Sequence, residues 1–129
     1  MDIIEKINSL VGVRTLPTQG MAEIEKAENV LGLKFAPEFI EYSKSFSAIS
    51  AKNIELFGFT PHKRLSVVAN TLLVRETDVT FPIDAYVIGN QGIEGLVVIQ
   101  FTNGTIHQYS PTCITKIANS LGDYLTIIS

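Results

Sequence analysis

Three side chains of this 129-residue sequence are of the types that most often bind metals or act as nucleophiles. They are His62, His107 and Cys113, its only histidines and its only cysteine. A structural zinc site needs four such ligands at short paired spacings, so the sequence predicts no metal site. His107 and Cys113 lie six residues apart and could form a nucleophile and its base, but a lone cysteine at the start of a predicted helix is more often structural. We therefore expect no catalytic residue and no enzyme activity.

Two further segments are candidates for binding a small ligand: the glycine-rich Gly89–Gly95 and the basic trio His62-Lys63-Arg64. The glycine segment lacks the Gly-Lys-Ser/Thr end of a P-loop and the spacing of a dinucleotide fingerprint. We interpret its glycines as turn residues that permit positive φ. Three basic residues in a loop are usually solvated, and binding of an anion or an acidic partner is the alternative. We expect no cofactor.

Glu28 is a carboxylate on the apolar face of a predicted helix, four residues after Ile24 and three before Leu31. A carboxylate there needs a hydrogen-bond partner or a position at the edge of the core. General acid–base catalysis would need a second positioned titrating group, which the sequence does not identify. We therefore interpret Glu28 as structural.

The composition is that of a globular protein, with 46% apolar and 18% charged residues. The length predicts a single domain, residues 1–129. A net charge of −3 disfavours a nucleic-acid partner. The longest aliphatic run, Leu96–Ile99, is too short for a membrane span. The single cysteine and the absence of a signal-peptide pattern favour the cytoplasm.

The charge is unevenly distributed along the chain. Residues 1–64 carry eight acidic and eight basic side chains, whereas residues 65–129 have only Arg75 and Lys116 as bases. The acids of this second half are Glu76, Asp78, Asp84, Glu94 and Asp123. This bias indicates either a solvated face or a docking surface for a basic partner.

Capping signals and apolar spacing predict the other elements. Asp2 caps a first helix that ends at Gly12, and a second helix runs from about Gly20 or Met21 to a left-handed Gly32. The third helix begins at Pro37, after Ala36 as cap. Val13–Gln19 is predicted to be a connector and Ser47–Lys52 a loop, and strands are predicted at Asn53–Phe59 and Ala85–Ile88. A helix is predicted at Leu65–Glu76, with a buried face formed by Leu65, Val68, Ala69, Leu72 and Leu73. A last helix is predicted to start at Ser110-Pro111, with a buried face formed by Ile114, Ile117, Ala118, Leu121, Tyr124 and Leu125.

The dipeptide Asn103-Gly104 predicts a β-hairpin with a two-residue type I′ turn. This turn pairs Gln100 with His107. One face of the hairpin then carries Val97, Ile99, Phe101 and Ile106, and the other carries Leu96, Val98 and Tyr109. Because both faces are apolar, we expect helices to cover at least part of each side.

The segment Met21–Gly32, continued by Leu33–Tyr42, resembles the N-terminal signature of the SUKH superfamily, which includes fungal regulators of cell-wall synthesis and many bacterial proteins. That signature is an Ile-x-x-x-Glu helix, Leu-Gly, an apolar residue, then Pro and an aromatic residue. The matching residues are Ile24, Glu28, Leu31, Gly32, Pro37 and Phe39. The later predicted elements follow in the family's order. The chain departs from the family in lacking tryptophan, in Glu94-Gly95 where Gly-Asp is common, and in Ser110 where an acid is frequent.

The fold predicted from these patterns is a single α+β domain, with a mostly antiparallel sheet packed against N-terminal and C-terminal helices as in SUKH proteins. The resemblance implies an immunity protein of a bacterium that binds and neutralises a cognate toxin domain, often a nuclease. An intracellular adaptor is the alternative. The expected contact residues are Glu76, Asp78, Asp84 and Glu94, because a nuclease surface is commonly basic.

Overall fold

The chain forms one antiparallel β-sheet with helices packed against it, in a computed structural model that describes residues 2–18, 20, 22–51, 54–93 and 95–128. The predicted α+β class is confirmed. The helices are α1 (Ile3–Asn8), α2 (Ala22–Leu31), α3 (Pro37–Ser43), α4 (Val67–Thr77) and α5 (Leu121–Ile128), with a 3₁₀ turn at Lys63–Leu65. The strands are β1 (Arg14–Pro17), β2 (Phe46–Ala51), β3 (Ile54–Leu56), β4 (Ala85–Asn90), β5 (Val97–Phe101), β6 (Ile106–Ser110) and β7 (Cys113–Ala118).

The strands follow one another across the sheet in chain order, from β1 at one edge to β7 at the other. Every neighbouring pair is antiparallel. Helices α1, α3 and α5 pack against one another, while α2 packs against α4. Within the described residues, no helix combines the length and apolar character needed to cross a membrane.

The caps predicted for the N-terminal helices are present. The Asp2 carboxylate accepts the Glu5 N–H at 2.8 Å, and Pro37 begins α3 after Ala36. Gly32 has φ +69°, as predicted for the end of α2, whereas Met21 lies outside the described residues. The first helix is shorter than predicted, because it ends at Asn8 rather than at Gly12.

Two segments predicted as connectors are strands. The predicted connector Val13–Gln19 contains β1, and the predicted loop Ser47–Lys52 contains most of β2. The residues of β1 are all exposed, so they show no alternation, and β2 is built mainly from small residues. Pairing between these strands, rather than local pattern, determines their structure. The strand predicted at Asn53–Phe59 is the shorter β3, and Asn53 lies outside the described residues.

The β5–β6 hairpin is present, but its register differs by one residue from the prediction. Gln100 pairs with Ile106 instead of His107. The Phe101 N–H donates to the Thr105 carbonyl at 3.0 Å, so the loop has three residues and ends at Gly104 with φ +99°. A shift of one residue moves a side chain to the opposite face. Ile106 therefore shares a face with Gln100, and Tyr109 shares one with Val97.

The last predicted helix begins too early, because Cys113–Ala118 is strand β7 and α5 starts at Leu121. Ile114, Ile117 and Leu121 have helical spacing by coincidence, since Ile114 pairs with Tyr109 across the sheet. The spacing of a few apolar residues does not separate an edge strand from a helix.

Helix α4 lies where it was predicted but buries a different face. Val67 and Thr71 are buried, whereas Leu72 and Leu73 are 42% and 58% exposed. The Thr71 hydroxyl accepts the N–H of Val87 at 2.9 Å. Strand β3 pairs only with Gly89 and Asn90, at the C-terminal end of β4. At Val87 the hydrogen bond to α4 therefore replaces a hydrogen bond to a neighbouring strand.

A buried chain of hydrogen bonds joins α3 to the sheet. The Ala36 N–H donates to the Tyr86 hydroxyl at 2.9 Å, and that hydroxyl donates to Gln100 Oε1 at 2.8 Å. Gln100 Nε2 then donates to the Gly104 carbonyl at 3.0 Å. Burial raises the pKa of Tyr86, which keeps its hydroxyl protonated as a donor. The rings of Phe35 and Phe39 pack against Tyr86 around this chain.

Candidate partner-binding surface

Three of the four predicted contact acids lie in or beside the segment between α4 and β4. Glu76 is exposed in the last turn of α4, Asp78 caps that helix, and Asp84 is exposed just before β4. Glu94 lies outside the described residues. Its neighbours Ile93 and Gly95 follow the far end of β4, a strand of six residues that spans roughly 20 Å. Glu76, Asp78 and Asp84 therefore all lie within residues 76–84, before one end of β4, whereas Ile93 and Gly95 follow its other end.

The α4–β4 loop, residues 78–84, is held by hydrogen bonds to the Asp78 carboxylate. Its carboxylate accepts the Thr80 N–H at 3.0 Å and the Thr80 hydroxyl at 2.6 Å. It also accepts the hydroxyl of Tyr109, which lies on β6. These donors from Thr80 and Tyr109 lower the pKa of the Asp78 carboxyl. Asp78 thus has a structural role in this loop.

Other contacts fix the middle and the C-terminal end of the α4–β4 loop. The Arg75 guanidinium donates from Nη2 to the Ile83 carbonyl at 3.2 Å, and the Thr102 N–H donates to the Asp84 carbonyl at 3.0 Å. In the middle of the loop, Phe81 is buried against the Tyr109 ring, with centroids 5.0 Å apart. The loop is therefore anchored to α4, to β6 and to the β5–β6 turn.

The same loop exposes two aliphatic side chains. Val79 is 94% exposed and Ile83 is 83% exposed. With Leu72 and Leu73 on α4, they place four exposed aliphatic residues within the stretch 72–83, next to Glu76 and Asp84. The sequence did not predict this set. Helical spacing assigned Leu72 and Leu73 to the buried face of α4, and a loop has no periodic pattern from which its exposed side chains could be predicted. The bias toward acids in the second half was the one signal that pointed to this region.

The possible nucleophile pair is not assembled. Cys113 pairs with Ser110 on β6, three residues from His107, which places the two positions roughly 10 Å apart along the strand. The His107 ring packs on Phe101 at 4.8 Å, and desolvation together with Lys116 lowers its pKa. Among the described residues, no group of three His, Cys, Asp or Glu side chains is placed to hold a metal ion.

The glycine segment contains two different kinds of glycine. Gly92 and Gly95 have φ of +79° and +80°, as expected for turns. Gly89 does not, which corrects its interpretation as a turn residue. It lies in β4, where a Cβ would be 2.1 Å from the Glu55 carbonyl oxygen. Gly89 is required by a close approach of two backbones.

The basic trio is partly used within the fold. Arg64 donates two hydrogen bonds from Nη1 to the Glu55 carboxylate at 2.8 and 2.9 Å, which lowers the pKa of Glu55. A groove beside this pair has a volume of about 190 Å³, and a second, beside Phe59, about 240 Å³. Both are smaller than the roughly 300–1,000 Å³ of typical small-molecule sites.

Glu28 has the hydrogen-bond partner that its position requires. Its Oε2 accepts the Phe35 N–H at 3.1 Å, and its Oε1 lies 3.5 Å from Lys34 Nζ. Its own carbonyl accepts the N–H groups of Gly32 and Leu33 at 2.8 and 3.3 Å. Glu28 therefore fixes the link between α2 and α3, as its structural interpretation predicted.

The family model SUKH_5, described as SMI1-KNR4 cell-wall, matches residues 1–128. This range includes the N-terminal signature, the sheet and α5. A search of the curated proteins found no matching relative.

Proposed function

The chain belongs to the SUKH family, and we propose that it is an immunity protein that neutralises one cognate toxin domain by binding it directly. The observation that carries this proposal is the family match over residues 1–128. The family contains toxin immunity proteins and acts through protein–protein interactions. In this proposal the protein is a single bacterial domain that works in the cytoplasm, where it covers the toxin and catalyses nothing itself.

The α4–β4 region supports a basic partner. Glu76 and Asp84 are exposed there and make no ion pair with the described residues. A toxin that acts on nucleic acid needs a basic face to bind phosphates. Opposite charges on the two surfaces accelerate association and favour the correct partner. We therefore keep Glu76 and Asp84 as proposed contact residues, with Glu94 as a separate proposed contact.

Asp78 was proposed with them, but its carboxylate already accepts bonds from Thr80 and Tyr109. Reversing its charge would break the loop as well as any contact. A clean test of the surface therefore changes Glu76 and Asp84 alone.

A regulatory adaptor is the second candidate, because the family also contains SMI1/KNR4 cell-wall regulators. An adaptor would need an exposed contact surface as well. The two functions differ in the partner, since only an immunity protein has a toxin encoded beside it.

The experiment measures binding to the purified toxin domain encoded by the adjacent reading frame. We expect a one-to-one complex whose association slows as salt screens the charges. Glu76→Lys with Asp84→Lys should slow association by about tenfold or more and leave the thermal melt unchanged. The control is Glu5→Lys with Asp123→Lys, which has the same change in net charge on α1 and α5. If the unmodified protein does not bind, the immunity proposal is wrong.

A further inference from the structure

The four exposed aliphatic residues of the stretch 72–83 lie outside the hydrophobic core of the described residues. Val79 and Ile83 are almost fully exposed, while the loop that carries them is anchored by Asp78, Phe81 and Arg75. Flexible loops can expose apolar side chains without consequence. In this loop, however, the backbone that carries the two side chains is anchored.

Acidic residues border these aliphatic residues. Glu76 lies four residues after Leu72 and three after Leu73 on α4, so all three share one face of the helix. Asp84 follows Ile83 directly. Two exposed acids beside exposed aliphatic side chains fit a partner surface that has an apolar pocket and basic residues around it.

We propose that Leu72, Leu73, Val79 and Ile83 form the anchor of the toxin-binding surface, inserting into an apolar pocket of a basic toxin face. This inference rests on the proposed immunity function and adds the contact residues and the chemistry of the partner. The anchor and the acids have different tasks. Burial of the aliphatic side chains holds the complex together and sets the dissociation rate, whereas Glu76 and Asp84 set the association rate.

A fixed loop also favours tight binding. Ordering a flexible segment on binding reduces affinity. Because Asp78 is already bonded to Thr80 and Tyr109, Val79 and Ile83 need little further ordering when the partner arrives. Tyr109 thus acts as a positioning residue for the anchor.

The test compares dissociation rates from the same purified toxin domain by surface plasmon resonance. Val79→Ser with Ile83→Ser should raise the dissociation rate by about tenfold or more and leave the association rate within about twofold. Leu72→Gln with Leu73→Gln is a second variant that keeps good helix formers in α4. It should also raise the dissociation rate, and it tests the anchor even if the loop variant is unstable.

The matched control is Val11→Ser with Ile127→Ser, which changes two aliphatic residues that are 77% and 64% exposed outside this surface. We expect it to alter neither rate. If the unmodified protein binds but both anchor variants dissociate like the control, the anchor is wrong and the immunity proposal stands. If the unmodified protein does not bind the toxin domain, the immunity proposal and the anchor are both wrong.

Discussion

Tyr109 on β6 donates its hydroxyl hydrogen to the carboxylate of Asp78, 31 residues earlier in the chain. This bond connects the α4–β4 loop to the sheet, and the packing of Phe81 on the Tyr109 ring reinforces it. The sequence contains no local signal for the pair, because the two residues meet only when α4, β4 and β6 are assembled. The bond links the stability of the fold to the position of the proposed anchor.

Removing this hydroxyl with Tyr109→Phe should raise the pKa of Asp78 toward its ordinary value of 3.8. Because the folded pKa of Asp78 is below the unfolded one, its charged form stabilises the fold above about pH 4, and this contribution disappears as the pH falls through the folded pKa. The variant should therefore be less stable than the original protein at pH 7, and the difference should shrink below pH 3.8. NMR titration measures the pKa of Asp78, and urea unfolding at pH 7 and below pH 3.8 measures the difference in stability.

Tyr124→Phe is the control for that experiment, since the Tyr124 hydroxyl contacts Gln91 rather than a carboxylate. Its effect on the free energy of unfolding should be the same at pH 7 as below pH 3.8. An unchanged Asp78 pKa in Tyr109→Phe would contradict the role assigned to the bond.

Replacing Glu28 tests the link between α2 and α3. Glu28→Leu leaves the Phe35 N–H without its acceptor and should lower the free energy of unfolding by roughly 1–3 kcal/mol. Glu28→Gln keeps an oxygen acceptor for the Phe35 N–H, so its free energy of unfolding should fall clearly less. Urea midpoints measure both, with the exposed Glu25→Leu as control. Equal losses in the Gln and Leu variants would show that the hydrogen bond contributes nothing measurable.

Gly89 and Gly32 should respond differently to alanine. At Gly89 a Cβ would meet the Glu55 carbonyl at 2.1 Å, so Gly89→Ala must separate β3 from β4 and should cost roughly 1–3 kcal/mol or more. At Gly32 a Cβ has free space, and only the positive φ opposes it, at roughly 1–2 kcal/mol. Gly32→Asn should be milder than Gly32→Ala, because asparagine tolerates this conformation. If Gly89→Ala unfolds at the same urea concentration as the original protein, the close approach is not a constraint.

The N-terminal helices could be predicted because their signals are local. Asp2, Gly32 and Pro37 each determine a helix end through their own backbone or side chain, and all three lie where predicted. The family signature lies in the same region. Two of its residues, Glu28 and Gly32, form the link between α2 and α3. Sequence reasoning is reliable where a few neighbouring residues determine the conformation.

The sheet edges and the proposed surface could not be predicted, because they depend on distant partners. The residues of strand β1 are all exposed and show no alternation, and the apolar residues of β7 have helical spacing. The hairpin register depended on a third loop residue, Thr102, that the Asn-Gly pattern does not reveal. The acids Glu76 and Asp84 were found from charge alone, whereas Val79 and Ile83 needed the fold.

The most direct test of the central claim is survival of cells that express the toxin from the adjacent reading frame. The immunity proposal predicts that cells producing this protein grow when the toxin is induced, and that cells without it stop growing. Val79→Ser with Ile83→Ser should reduce this protection, and Val11→Ser with Ile127→Ser should keep it. Equal killing with and without the unmodified protein, at confirmed expression of both, would contradict the proposal and favour the adaptor.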